Sequence, residues 1–237
     1  MAIQNFDQLN NLSQKWFDKM GVSQRAKDSR IELSMLFTEI LIMFFEMIIA
    51  EKLTREQQIE WLDIRLNAVA SNHIGENDVA YVNDWSRKEA ENIVDVTEKH
   101  INDAPSFDVE TTSDGTTKTI TGIVPKQITF EEFDISMPVD EYWTSDIRGL
   151  LLGIECASAI ENYYELYDAY NRGYTHKVWK TEADNRVRKT HVEVDGVDIP
   201  LQDLFIVGNS YLLFPGDISN GAEPQEIDNC RCHCEYY

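Results

Sequence analysis

The chain has 237 residues, of which 43% are hydrophobic, enough for one large domain or two small ones with a buried core. Its 42 acidic and 21 basic residues give a formal net charge of −21. This balance disfavours a protein that reads nucleic-acid sequence, because duplex binding depends on cations that displace phosphate counterions. The first residues lack the basic start, apolar run and cleavage site of a secretory signal, so we expect no export by that route and reduced cysteines.

The first hundred residues predict a series of α-helices joined by short connections. Apolar residues recur at helical spacing in a first short helix that stops near Gly21 and then over about 23–52, from Thr54 onward and over about 77–100. Thr54 followed by Gln57 resembles a capping box that opens the third helix. Because short connections favour antiparallel neighbours, residues 1–104 predict an α-helical bundle or hairpin.

The second of these helices is apolar enough to raise the question of a membrane span. Residues 35–50 approach spanning length, but Glu39 and Glu46 lie inside the run. Each carboxylate would cost a few kcal/mol at the centre of a bilayer. We therefore expect no membrane span and a helix that is buried on most faces.

Residues 105–138 differ in character, because Thr, Val and Ile replace the helix formers. Asp114-Gly115 lies between β-favouring residues and is a strong hairpin signal. We predict a β-hairpin arm or linker here.

A long helix is predicted from just after Pro138 to about Asn171, with Thr144 or Ser145 as its N-cap and Gly173 as its stop. Short strand-like runs separated by Gly and Pro turns follow. The predicted class is therefore α+β: an N-terminal α-helical bundle or hairpin, a β excursion, a long helix and a small strand-rich C-terminal module.

The end of the chain concentrates thiols. Cys230, Cys232 and Cys234 surround Arg231 and His233, and such a Cys/His tract is the compositional mark of a metal site. In a flat strand, residues two apart lie about 6.6 Å from each other, whereas two thiolates on one zinc ion are less than about 4 Å apart. The pair would thus need a turn or bulge, and free thiols that finish an edge strand remain the alternative.

His191 is a further candidate ligand, and Asp195 could orient its ring. We predict His191, Cys230 and Cys232 as the residues of a possible structural zinc site.

A nucleophilic site can also be drawn from these residues. Cys230 or Cys156 would be the thiolate, His191 the base, and Asp195 or Asp217 the group that orients the base. The sequence contains none of the GxSxG, GxxxxGK[ST] or HExxH signatures. The cationic run at 186–191 is expected to pair within the chain, because residues 75–172 carry 21 acidic and 7 basic residues.

Several C-terminal motifs occur in a characteristic order. They are Tyr174-Thr-His-Lys-Val-Trp-Lys-Thr181, Arg186-Val-Arg-Lys-Thr-His191, Val194-Asp-Gly196, Leu213-Phe-Pro-Gly-Asp217 and Asn229-Cys-Arg-Cys232. This series resembles the C-terminal domain of phage minor head proteins, the phage Mu protein F-like head morphogenesis family. The resemblance places that domain at residues 139–237. It marks as structural motif positions Trp179, Arg188, Asp195, Gly196, Pro215 and Asn229.

The resemblance implies a minor capsid protein without enzymatic activity that acts at the portal vertex in head assembly or genome delivery. Its partners would be the portal protein and other capsid proteins, contacted through the N-terminal helices, with a homo-oligomer also possible and no sequence-specific nucleic acid. It would be located in the virion head, and in the host cytoplasm during assembly. A thiol- or zinc-dependent hydrolase built on the same C-terminal domain is the alternative.

Overall fold

The computed structural model describes residues 5–75, 79–102, 107–113 and 118–237, and it confirms the α+β class. The elements of the described residues, in chain order, are α1 (Phe6–Phe17), α2 (Gln24–Ala50), α3 (Arg55–Ile74), α4 (Val79–Ile101), β1 (Phe107–Ser113), β2 (Lys118–Pro125), β3 (Gln127–Phe130), β4 (Ile135–Pro138), α5 (Val139–Tyr142), α6 (Asp146–Asn171), β5 (His176–Lys180), α7 (Lys189–Val194), β6 (Asp198–Pro200), β7 (Phe205–Val207), β8 (Ser210–Leu212), α8 (Pro224–Ile227) and β9 (His233–Tyr236).

The long helices begin where the sequence supplies side-chain caps. Thr54 and Gln57 form the predicted capping box of α3, since the Gln57 N–H donates to Thr54 Oγ1 at 3.3 Å and the Thr54 N–H donates to Gln57 Oε1 at 2.9 Å. Ser145 caps α6 through its Oγ, which accepts from the Arg148 N–H at 3.2 Å. These caps satisfy backbone donors that helix starts otherwise leave unpaired.

The main hydrophobic core lies where α2 packs lengthwise against α6, with α1, α3 and α4 around them. The two helices approach each other closely at Gly153. A Cβ atom at this position would lie 2.4 Å from Thr38 Oγ1 and 2.7 Å from the Ser34 carbonyl oxygen, both on α2. Only glycine permits this separation. Since α6 belongs to this core, the core contains residues from both sides of the predicted boundary at 139.

By length and composition α2 could cross a membrane, a property that core helices of soluble proteins share. Its residues Phe37, Leu41 and Phe44 are fully buried against the neighbouring helices. Glu39 and Glu46 lie on the opposite, exposed face.

Two β-hairpins follow α4. Strands β1 and β2 pair antiparallel with a register shift at Glu110/Thr111, while the Asp114-Gly115 turn expected between them lies outside the described residues. Strands β3 and β4 form the second hairpin, which contributes Phe133 and Met137 to the main core. The second hairpin is therefore anchored to the helices.

The C-terminal module contains a three-stranded antiparallel sheet, ordered β6-β5-β9, and the β7–β8 hairpin. These elements surround a second, smaller core that consists of Trp179, Val194, Phe205, Val207, Leu212, Cys230, Cys232 and Cys234. Leu201 and Phe214 of the module reach into the main core instead. The module thus packs on the helical part while it keeps a core of its own.

Candidate metal centre

A turn precedes β9 and bends the Cys-Arg-Cys segment. Asn229 adopts a left-handed backbone conformation with φ of +52°, and its N–H donates to Glu155 Oε1 on α6 at 2.7 Å. Cys230 and Cys232 both lie between this turn and the first residue of β9. The two thiols are therefore not held in a flat strand. This removes the geometric objection to their binding the same metal ion.

The short helix α7 brings His191 to the two thiols. Its Nδ1 atom lies 3.3 Å from Cys232 Sγ and 3.7 Å from Cys230 Sγ, and the three ligand atoms all lie within 4.8 Å of one another. A tetrahedral zinc ion with ordinary Zn–N and Zn–S bonds separates the nitrogen and sulfur atoms by about 3.5 Å. All three side chains are buried, and their geometry fits a thiophilic metal ion.

Trp179 and Glu226 hold the imidazole from two sides. The Trp179 ring on β5 meets it edge-on, with centroids 5.6 Å apart. Nε2 of His191 lies 3.2 Å from the buried carboxylate of Glu226, which also accepts from the Thr190 hydroxyl at 2.7 Å. The distal nitrogen therefore lies beside a carboxylate, although it makes no hydrogen bond among the described residues, and Nδ1 faces the thiols.

Glu226 takes the place that the sequence analysis gave to Asp195. Asp195 Oδ1 instead accepts from the Thr181 N–H at 2.8 Å and closes the end of β5. The prediction for Asp195 was wrong, because α8 brings a more distant carboxylate to the ring. The position of Glu226 four residues before Cys230 was the only signal, and it does not stand out in a chain with 42 acidic residues.

The pKa values of the two thiols are shifted in opposite directions. The hydrogen bond from Cys232 and the nearby His191 hold the pKa of Cys230 well below its usual range despite burial. The same hydrogen bond, together with burial, raises the pKa of Cys232. The lowered pKa favours the thiolate form of Cys230, which is the form that binds metal ions or acts as a nucleophile.

A cavity of about 160 Å³ opens beside the cluster and has all three candidate ligands in its wall. Arg186, Arg188 and Arg231 line it, together with Glu132 and Glu182. As expected for the cationic run, Arg186 pairs within the chain, with Glu132. Arg188 donates to the Asp228 carbonyl oxygen.

Arg231 was not predicted as a site residue from the sequence. One nitrogen of its guanidinium group has no hydrogen-bond acceptor among the described residues. Its Nη2 donates to Asp184 Oδ1 at 2.8 Å, and its side chain is only 9% exposed. Among the described residues, its buried Nη1 has no hydrogen-bond partner. An unpaired buried guanidinium nitrogen is costly, so a bound acceptor would be stabilised here.

Two other motif residues shape the module. The left-handed Gly196, with φ of +73°, donates its N–H to the Trp179 carbonyl oxygen at 2.8 Å. The Pro215 carbonyl oxygen accepts from Asn162 Nδ2 on α6 at 2.8 Å, and the same amide lies 3.4 Å from the Cys232 carbonyl oxygen. Asn162 thus ties the Pro-Gly loop and the thiol segment to one point on α6.

A buried guanidinium on α2 holds the side chain of Asn162 in place. Arg30, with no exposed surface, donates to Asn162 Oδ1 at 2.8 Å and lies 3.2 Å from Glu165 Oε1. Neither Arg30 nor Asn162 was selected from the sequence. A charged residue on the apolar stripe of α2 was the available signal.

Other residues considered from the sequence lie outside the cluster. Cys156 is buried in α6, where its Sγ lies 4.0 Å from Glu89 Oε1. Asp217 is buried and accepts from the Leu213 and Ser219 N–H groups at 2.8 Å, so it holds a loop. Cys234 faces Trp179 across the β5–β9 ladder, and its neighbour His233 lies 3.9 Å from Glu182 Oε1.

Comparisons with models of protein families, with curated proteins and with solved structures found no match.

Proposed function

We propose that this protein is a minor structural protein of phage heads, similar to the Mu F-like head morphogenesis proteins, that acts at the portal vertex in head assembly or genome delivery. One observation carries the proposal: motif residues that are far apart in the sequence, between Trp179 and Cys232, contact one another in the folded module. Trp179 packs on His191, and His191 contacts Cys230 and Cys232. Motif residues that jointly close a small module support a resemblance that rests on their order in the chain.

The division of the protein into a helical part and a compact module suits an assembly component. The module is tied to α6 through Asn162, and α6 packs on α2. The N-terminal helices would contact the portal and inner capsid, with the module as a rigid second surface. We place the protein in the virion head and, during assembly, in the host cytoplasm, with the portal and other capsid proteins as partners.

Quantitative mass spectrometry of purified particles tests this function. We expect the protein at low copy number together with the portal protein, and we expect tagged protein to co-purify with the portal from infected cells. His191→Ala, which removes the centre of the cluster, should reduce incorporation into particles. Lys189→Ala, at an exposed position on the same helix, should not. Absence of the protein from both immature and mature particles would overturn the proposal.

A thiol- or zinc-dependent hydrolase is the second candidate, and a specific arrangement favours it. Cys230 Sγ lies 3.7 Å from His191 Nδ1, and Glu226 lies at the other nitrogen of the ring, beside a cavity. These are the roles of nucleophile, base and orienting carboxylate. Turnover of a peptide library that Cys230→Ser abolishes without a change in thermal unfolding would support this function over the structural one.

A further inference from the structure

We propose that His191 Nδ1, Cys230 Sγ and Cys232 Sγ bind one zinc ion as an open, three-ligand site, and that its fourth position faces the arginine-lined cavity and takes a monoanionic carboxylate. This goes beyond the head-protein function and does not depend on it. It also differs from a closed structural zinc, because the fourth ligand comes from outside the described residues and can be exchanged.

The ligand atoms support the metal. The two nitrogen–sulfur distances of 3.3 and 3.7 Å lie on either side of the about 3.5 Å that tetrahedral zinc imposes. Two thiolates and one imidazole favour zinc over magnesium or calcium, which prefer oxygen ligands. Metal binding needs both sulfurs as thiolates, so any thiol proton that remains is released to solvent, and the metal–dithiolate unit has no net charge.

The open position follows from what surrounds the cluster. Within the described chain, the group of metal-binding side chains contains three residues, and all three lie in the wall of the same cavity of about 160 Å³. Zinc sites with three protein ligands leave the fourth position to water or an external ligand. A cavity of this volume has room for a small organic anion in place of water.

The free donor of the cavity indicates the ligand. Three arginines and two glutamates line the cavity, and the carboxylate of Asp184, which pairs with Arg186 and Arg231, balances the remaining positive charge. Arg231 Nη1 is buried and has no hydrogen-bond partner among the described residues, while Nη2 is taken by Asp184. A carboxylate can give one oxygen to zinc and the other to Nη1, whereas a phosphate dianion would be repelled by Glu132 and Glu182.

Cobalt substitution of the full-length protein tests both parts of the proposal. We expect one Co²⁺ per chain, displaced by one Zn²⁺, with thiolate charge-transfer absorption and a tetrahedral visible spectrum. Acetate, the probe ligand, should shift that spectrum saturably, and Arg231→Gln should weaken the acetate response at least tenfold while Co²⁺ still binds. The control is Lys189→Gln, which removes an exposed cation of the same module and should change neither response.

Each of several outcomes would overturn the proposal. Failure of the parent protein to bind stoichiometric Co²⁺ or Zn²⁺ would rule out the metal site. This test uses the parent alone, so it holds even if the variants His191→Ala and Cys230→Ser do not fold. A spectrum that ignores acetate in the parent but responds in Glu182→Gln means that a carboxylate of the chain closes the site. A stronger response to inorganic phosphate than to acetate contradicts the carboxylate assignment. None of these results bears on the presence of the protein in particles.

Discussion

Glu89 should make the protein less stable as the pH rises towards 8. This carboxyl lies on α4, buried against Cys156 on α6, and desolvation together with the charge of Asp228 raises its pKa from 4.5 to about 7. Glu155, on the same side of α6, is raised to about 8 for similar reasons. Both groups therefore hold their protons more tightly in the folded protein than in the unfolded chain.

The sign and size of the effect follow from proton linkage. Between the unfolded and the folded pKa, the folded state binds more protons, so the free energy of unfolding falls as pH rises. For a pKa raised from 4.5 to about 7, the cost to the folded state is about 1 kcal/mol at pH 5.5 and about 3 kcal/mol at pH 8, since each tenfold change in proton affinity corresponds to about 1.4 kcal/mol. Glu89→Gln removes this cost because the amide stays neutral throughout.

Urea unfolding of the parent and of Glu89→Gln at pH 5.5 and 8 measures this difference. We expect the variant to be more stable at both pH values and the advantage to grow by about 2 kcal/mol between them. Glu60→Gln on the exposed surface of α3 is the control for loss of one negative charge, measured in parallel at both pH values. A Glu89→Gln protein that is less stable than the parent at pH 8 would mean that an ionised Glu89 is paired and would refute the reasoning.

Three further substitutions test the packing and capping described above. Gly153→Ala should lower the thermal midpoint by the equivalent of about 1–3 kcal/mol despite the better helix propensity of alanine, and more than Gly149→Ala, whose Cβ meets only a side chain at less than 3.4 Å; a raised midpoint would contradict the close helix approach. Arg30→Met should cost about 3–5 kcal/mol in urea unfolding because Glu165 loses its partner, and adding Glu165→Gln should recover part of the loss; an unchanged loss in the double variant would mean that the pair is not coupled. Thr54→Ala should cost about 1 kcal/mol by the same assay, and no loss would show that the capping box does not stabilise α3.

Local signals in the sequence were sufficient for much of the fold. The Thr54–Gln57 box, the Ser145 cap and the left-handed Gly173 all mark helix ends where the structure has them. These features depend on hydrogen bonds and backbone preferences within a few residues. They can be derived from one sequence because nothing distant takes part.

Contacts between segments that are distant in the sequence could be predicted less well. His191 and the thiols could be grouped by chemistry, but the identity of the orienting carboxylate depends on how α8 packs, and Glu226 replaced Asp195. The Arg30–Asn162 pair joins residues 132 positions apart. No periodicity or motif encodes such a pair, since its stability depends on burial that only the assembled core provides.

The separation of α2 and α6 at Gly153 has a consequence for how the molecule opens. Backbone amides on both sides of this crossing are shielded by the closely packed helices of the main core, so they should exchange with deuterium only when the whole chain unfolds. Their exchange rates would then report the global stability of the protein in its native buffer. Any partner that stabilises the fold should slow them, wherever on the surface it binds.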